Sequence, residues 1–177
     1  MRKGALMMPK IFINPGHCVG VDSGACGCGL EEAEVVLKIG KLVEKYLNAV
    51  GYDVRLLQSN SLDEIVDAAN YWDADIFVSI HCNAYNGSAN GTETYNYYGS
   101  ACGKVLATCI HNRIKNSLPH YDRRVKEAGF FVIRYTGMPA ALVETAFIDN
   151  AYDAEFLRND YDTFARAIAC GITDYFS

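Results

Sequence analysis

Apolar and polar positions along this chain follow two periods. Short apolar runs with β-branched members at 10–14, 52–57, 75–84 and 141–145 are bounded by polar residues and turn signals, and read as buried strands. Between them the period lengthens. Leu30 to Val50 places Val35, Val36, Ile39, Leu42, Val43, Tyr46 and Leu47 on one helical face, with Gly51 as the C-cap. Asn60 or Ser61 caps a helix from Leu62 to about Asn70. Ser100 to Leu118 reads as a helix that ends before Pro119, and 150–176 as a final helix in one piece or two. Thr92 to Tyr98 reads as an edge strand, the charged stretch Tyr121 to Ala128 as a loop, and Phe130 to Ile133 as a further short strand. Strands alternating with helices predict an α/β fold, a twisted, mostly parallel sheet with helices on both faces. No internal repeat, low-complexity segment or linker interrupts it, so a single domain is expected.

Composition narrows the class. A chain of 177 residues, half of them apolar, can bury a core without staples. The formal net charge of −5, with no block of like charges, argues against a nucleic-acid partner, which demands a basic stripe. No run is long and apolar enough to suggest a membrane partner. Met1 to Lys10 has too short an apolar region for a signal peptide and no cleavage site, so synthesis in the cytoplasm without an export signal is expected. The seven cysteines are odd in number and scattered, and read as reduced thiols packed like small apolar residues.

Three strands end in polar groups that packing does not require: the first at His17, the third at His81 with Asn83, and the last at Glu144. In an open α/β sheet, ligands sit beyond the carboxyl ends of the strands. Glu32, in the first turn of the helix after a glycine-rich loop (18–29), falls on the same edge. Two His and one carboxylate with an open fourth position form the ligand set of a catalytic zinc site, and a further Glu can serve as the base. His111 and His120 read as surface residues. A rival site draws on Cys18, Cys26, Cys28 and Cys82, but neighbours on a strand point to opposite faces, and Cys26-Gly-Cys28 lacks the two-residue gap of zinc knuckles. The glycine-rich loop also invites a phosphate, yet it fits neither Gly-x-Gly-x-x-Gly nor a P-loop ending.

Asn14-Pro-Gly-His17, Glu32 followed by Leu37 and Ile39, Ser79-Ile-His-Cys-Asn-Ala84 and Leu142-Val-Glu-Thr-Ala-Phe-Ile-Asp-Asn150 together resemble the zinc-dependent N-acetylmuramoyl-L-alanine amidases of the amidase-3 class. The resemblance runs from about Pro9 to Tyr175. It implies a catalytic domain over 9–177 behind a short extension at 1–8, one Zn²⁺ per chain on His17, Glu32 and His81, and Glu144 as the catalytic carboxylate. Glu31 and Glu34 compete with Glu32 for the helix position. The implied partner is peptidoglycan, and the implied place of action is the cell wall, as an autolysin or endolysin. The oligomeric state is not implied. Asn83 is expected either to orient a ligand or to cap its turn, and Arg134 either to meet a stem-peptide carboxylate or to lie solvated. Departures from the usual pattern are Cys18-Val19 for two glycines, Ile65 for Arg and Ala146 for Gly. A zinc peptidase acting on the stem peptide and a non-catalytic wall-binding module are the rival readings.

Overall fold

A computed structural model describes residues 8–177; the extension expected at 1–8 lies outside them apart from Met8. The chain runs β1 (Lys10–Pro15), β2 (Cys26–Gly27), β3 (Leu30–Glu31), α1 (Glu32–Ala49), β4 (Asp53–Leu56), α2 (Leu62–Tyr71) and β5 (Ile76–Asn83). It continues with β6 (Thr92–Asn96), α3 (Ala101–Ser117), β7 (Asp122–Glu127), α4 (Phe131–Tyr135), β8 (Ala140–Phe147), α5 (Ala151–Asn159) and α6 (Tyr161–Tyr175). Six strands form one sheet in the order β4-β1-β5-β8-β6-β7. The first four are parallel; β6 runs antiparallel to β8, and β7 is parallel to β6.

Alternation along the central strands builds a core on each face. Ile11, Ile13, Val78, Ile80 and Val143 face α1, α3 and α6, where Val36, Ile39, Ile110, Phe164 and Ile168 are fully buried. Phe12, Phe77 and Leu142 face the thinner layer of α2 and α4, against Ile65, Trp72 and Val132. Because α4 has only five residues, this layer stops short and leaves the carboxyl ends of β1, β5 and β8 open.

Three expectations change. Residues 121–128 contain β7, the outer strand, rather than a loop; its charges suit an exposed edge, where they discourage pairing with another chain. Thr92–Asn96 is therefore an interior strand, with Thr92 and Thr94 fully buried. Phe130 to Ile133 leads into the helix α4 and is not a strand, an ambiguity inherent in short apolar runs. Of the two candidate caps for α2, Ser61 serves: its Oγ accepts the Glu64 N–H at 3.3 Å.

Candidate active site

The site assembles where β1 and β5 end and α1 begins. The Gly16 N–H donates to the Ile80 carbonyl at 2.9 Å and continues the β1–β5 pairing one residue further. Gly16 lies against the His81 ring so closely that a Cβ there would sit 2.2 Å from Cε1. His17 then turns out of the strand with a left-handed backbone, φ 58°, unusual for a residue with a Cβ. The glycine-rich loop folds back onto the start of α1, which has no side-chain cap. Ala25 and Ser23 supply carbonyls to the N–H groups of Glu32 and Ala33 at 2.9 and 3.0 Å. These donors are thereby spent on the loop, which removes the basis for a phosphate there.

This fold-back turns Glu32, and neither Glu31 nor Glu34, inward; Glu32 is buried while its two neighbours are exposed. Its Oε2 lies 3.1 Å from His17 Nε2 and accepts the Ala25 N–H at 2.8 Å. Its Oε1 lies 2.9 Å from His81 Nδ1 and accepts the Cys82 N–H at 3.0 Å. Burial pushes Glu32 up, but the hydrogen bonds to His17 and His81 outweigh it and hold the carboxyl well below its ordinary range. The same bond to Glu32, opposed by burial and reinforced by Asp22, raises His17 to about 9. Asp22 Oδ2 lies 2.8 Å from His17 Nδ1, which fixes the ring and leaves Nε2 to face Glu32.

One ligand atom each from His17, Glu32 and His81 can be chosen so that all three lie within 4.8 Å of one another. Two imidazole nitrogens and a carboxylate oxygen at this spacing suit zinc, and the Asp22–His17 pair is the kind of outer hydrogen bond that orients a metal-binding imidazole. No cysteine sulfur joins the cluster. Cys82 points to the opposite face of β5 from His81, into the core, and is the one cysteine that packs as a buried apolar residue. Cys26, Cys28, Cys102 and Cys170 are exposed, contrary to the expectation of packed thiols, and all seven are free.

Glu144 pairs with His81 across β5 and β8, so the two side chains share a face. Its Oε2 is sealed from solvent and has no hydrogen-bond partner among the described residues. Burial, moderated by His81 and reinforced by Glu32 and Glu93, raises its carboxyl to about 7. A cavity of about 330 Å³ opens beside His17 and His81, walled by Asn14, Asn60, Ile65, Phe131 and Leu142.

The family comparison matches residues 11–174 to amidase-3, described as N-acetylmuramoyl-L-alanine amidase. The chain belongs to this family. It is 45% identical over 183 residues to N-acetylmuramoyl-L-alanine amidase LytC of Bacillus subtilis, covering 98% of this chain but 37% of LytC. It is 38% identical over 167 residues to the endolysin of Bacillus phage SPP1, covering 87% of this chain and 60% of the endolysin. The chain therefore spans well under two thirds of LytC. Among solved structures, N-acetylmuramoyl-L-alanine amidase AmiC2 of Nostoc punctiforme superposes with a TM-score of 0.89 at 35% identity, covering 95% of this chain and 97% of that one. The catalytic domain of CwlV from Bacillus (Paenibacillus) polymyxa gives 0.87 at 30%, covering 96% and 98%. The α/β fold expected from the alternation of strands and helices is thus that of known amidase catalytic domains.

Not every expected residue reaches this amidase-like cleft. Asn83 caps its turn, Oδ1 accepting the Ala84 N–H at 2.9 Å, and its Nδ2 donates to Glu93 Oε1 at 2.7 Å rather than to His17, Glu32 or His81. Arg134 lies at the other end of β8, in a separate cavity with Ser100, Met138 and Pro139. His111 and His120 are buried, not surface groups. His111 bridges Thr94 Oγ1 at 3.1 Å and Asp122 Oδ1 at 2.8 Å, while His120 packs between Phe156 and Phe164. Two carboxylates escaped the sequence reading. Asp22 was signalled only by its place five residues after His17. Glu93 is buried and faces Glu144 directly across β6 and β8. An acidic residue one position from two buried threonines was its only trace.

Proposed function

We propose that this chain hydrolyses the amide between the lactyl group of N-acetylmuramic acid and L-alanine in peptidoglycan. His17, Glu32 and His81 would hold one zinc per chain, and Glu144 is the catalytic carboxylate. Residues 9–177 form the catalytic domain, and the enzyme acts at the cell wall. The observation that carries this reading is the His17–Glu32–His81 cluster with Glu144 one strand away on the same face.

When bound, zinc polarises the carbonyl and brings the pKa of water towards ~7. The protein supplies the rest. Asp22 holds the His17 ring, and the Ala25 and Cys82 N–H groups hold Glu32, so the three donors are set before any ion arrives. Glu144 takes the proton of the attacking water and delivers it to the amide nitrogen, which leaves as a neutral amine. A carboxyl raised to about 7 can both accept and return a proton near neutrality. The apolar walls of the cavity, Ile65, Phe131 and Leu142, limit water around the bond.

The test is cleavage of a soluble N-acetylmuramoyl-L-alanyl peptide. Turnover is expected with about one zinc per chain, lost on chelation and restored by zinc. Full turnover in metal-free protein would overturn the metal assignment.

A further inference from the structure

We propose that Arg123 and Lys126 form a subsite for a free carboxylate on the peptide half of the substrate. The peptide then runs from Glu144 across β6 towards β7. This rests on the amidase reading given above.

The row begins at the cluster. His81 pairs with Glu144, and Glu144 with Glu93, so three neighbouring strands present chemical groups side by side on one face. β7 continues the row: Lys126 pairs with Tyr95, which in turn pairs with Leu142, a residue of that same face. Glu93 is buried and anchors both cations on Oε2. Arg123 Nε donates to it at 2.9 Å, and Lys126 Nζ also donates to it. One carboxylate thus stands against two cations, which line a cavity of about 220 Å³ with Tyr121, Asp122 and Arg124 at the β7 edge. Both cations remain about a third exposed, at 31% for Arg123 and 39% for Lys126. Arg123 Nη1 also donates to the Asn90 carbonyl at 3.4 Å. Among the described residues, Arg123 Nη2 and the remaining Nζ hydrogens of Lys126 have no hydrogen-bond acceptor.

The polarity of the substrate follows from Glu144. The proton it carries must reach the leaving nitrogen, and Glu144 lies on the β6 side of His81. The amine half therefore lies over β6 and β7, and the acyl half turns towards the cavity lined by His17, Asn60 and Phe131. Adjacent strands are ~4.8 Å apart, so β7 is ~10 Å from β8. About three extended residues at ~3.3 Å each span that distance. A carboxylate within three residues of the cut bond would reach the pair. Arg134, for which meeting such a carboxylate was one of two expected roles, lies at the other end of β8.

The experiment compares two soluble N-acetylmuramoyl-L-alanyl peptides that differ only in whether the peptide carboxylates are free or amidated. With the zinc-loaded full chain, kcat/KM should favour the free carboxylates about tenfold, carried mainly by KM, as expected for a charge-assisted hydrogen bond. The ratio should collapse towards one in Lys126→Met and survive in Lys126→Arg. The released peptides, titrated calorimetrically against the wild type, should show the same preference in binding. Equal wild-type kinetics on both substrates, or an unchanged ratio in Lys126→Met, would overturn the subsite. Should Lys126→Met not fold, the wild-type comparison decides alone. If the wild type cleaves neither compound, the amidase reading itself fails; if it cleaves both alike, only the subsite does.

Discussion

Glu93 and Glu144 stand directly opposite each other on antiparallel neighbours, two carboxylates on one face of the sheet. They are kept in different states by their surroundings. Glu93 receives Arg123, Lys126, the Tyr95 hydroxyl at 2.8 Å and the Asn83 amide, and although burial pushes it up, these partners hold it below its ordinary value. Glu144 has burial without such partners and is raised to about 7. Pairs of carboxyls driven apart in this way commonly divide the roles of fixed charge and proton carrier.

Removing the carrier and removing its neighbour should therefore differ. Glu144→Gln should keep its zinc and lose turnover by ~10²- to 10⁴-fold, the usual worth of a general acid–base group. Glu93→Gln deletes a negative charge that raises Glu144, while leaving Arg123 and Lys126 in place. The acidic limb of its kcat/KM–pH profile should move to lower pH, and a limb that stays put or moves up would contradict the coupling.

Gly16 has a role that only the missing Cβ allows. In Gly16→Ala the methyl would fall 2.2 to 2.6 Å from three atoms of the His81 ring. The ring must move, and a loss of about 1–3 kcal/mol in stability is expected from such overpacking. Metal content at limiting zinc should fall more sharply than the melting temperature. Wild-type zinc content in this variant would show that His81 is not a ligand.

Asp22 touches no proposed ligand atom but holds His17 Nδ1. Asp22→Ala should weaken zinc binding ~10- to 100-fold, the usual cost of losing such an orienting bond. Competition with a chromophoric chelator measures this, and an unchanged affinity would remove Asp22 from the site.

Stripped of metal, the protein should have an unusual pH–stability profile. His17, raised from 6.5 to about 9, stabilises the fold fully below pH 6.5 and ceases to do so as pH rises through 9. Glu32, held below its ordinary 4.5, stabilises the fold above pH 4.5 and loses that effect as pH falls through its lowered value. Glu144, raised from 4.5 to about 7, makes ionisation costly, increasingly from pH 4.5 and fully above 7. Glu32 and His17 are both fully effective between pH 4.5 and 6.5, and Glu144 is least costly at the acidic end of that interval, so the melting temperature of chelated protein should peak near pH 4.5 and fall as pH rises. Zinc should add most above it, since the ion displaces the His17 proton. A chelated protein most stable at pH 8 or above would contradict these assignments.

Much of this was legible in the sequence because strands announce their interior. Ile11, Phe12, Ile13 and Ile76, Phe77, Val78 can only be central strands, and the polar tips His17, His81 and Glu144 then fall on one edge. The choice of Glu32 over Glu31 and Glu34 is settled in space by the fold-back of the glycine-rich loop, which no helical period encodes. β7 was hidden because an edge strand with Arg123, Arg124 and Lys126 carries the composition of a loop. His111 was readable after all: it shares the buried stripe of α3 with Ala107, Ile110 and Ile114. Arg134 lies away from the catalytic edge because Phe130 to Ile133 leads into the helix α4 instead of forming a strand that ends there.

End-group analysis of purified cell walls digested by the zinc-loaded chain tests the central claim most directly. New amino termini should be L-alanine, appearing in step with solubilisation, with no new reducing sugar ends. Reducing ends without L-alanine termini, or a different amino-terminal residue, would contradict it.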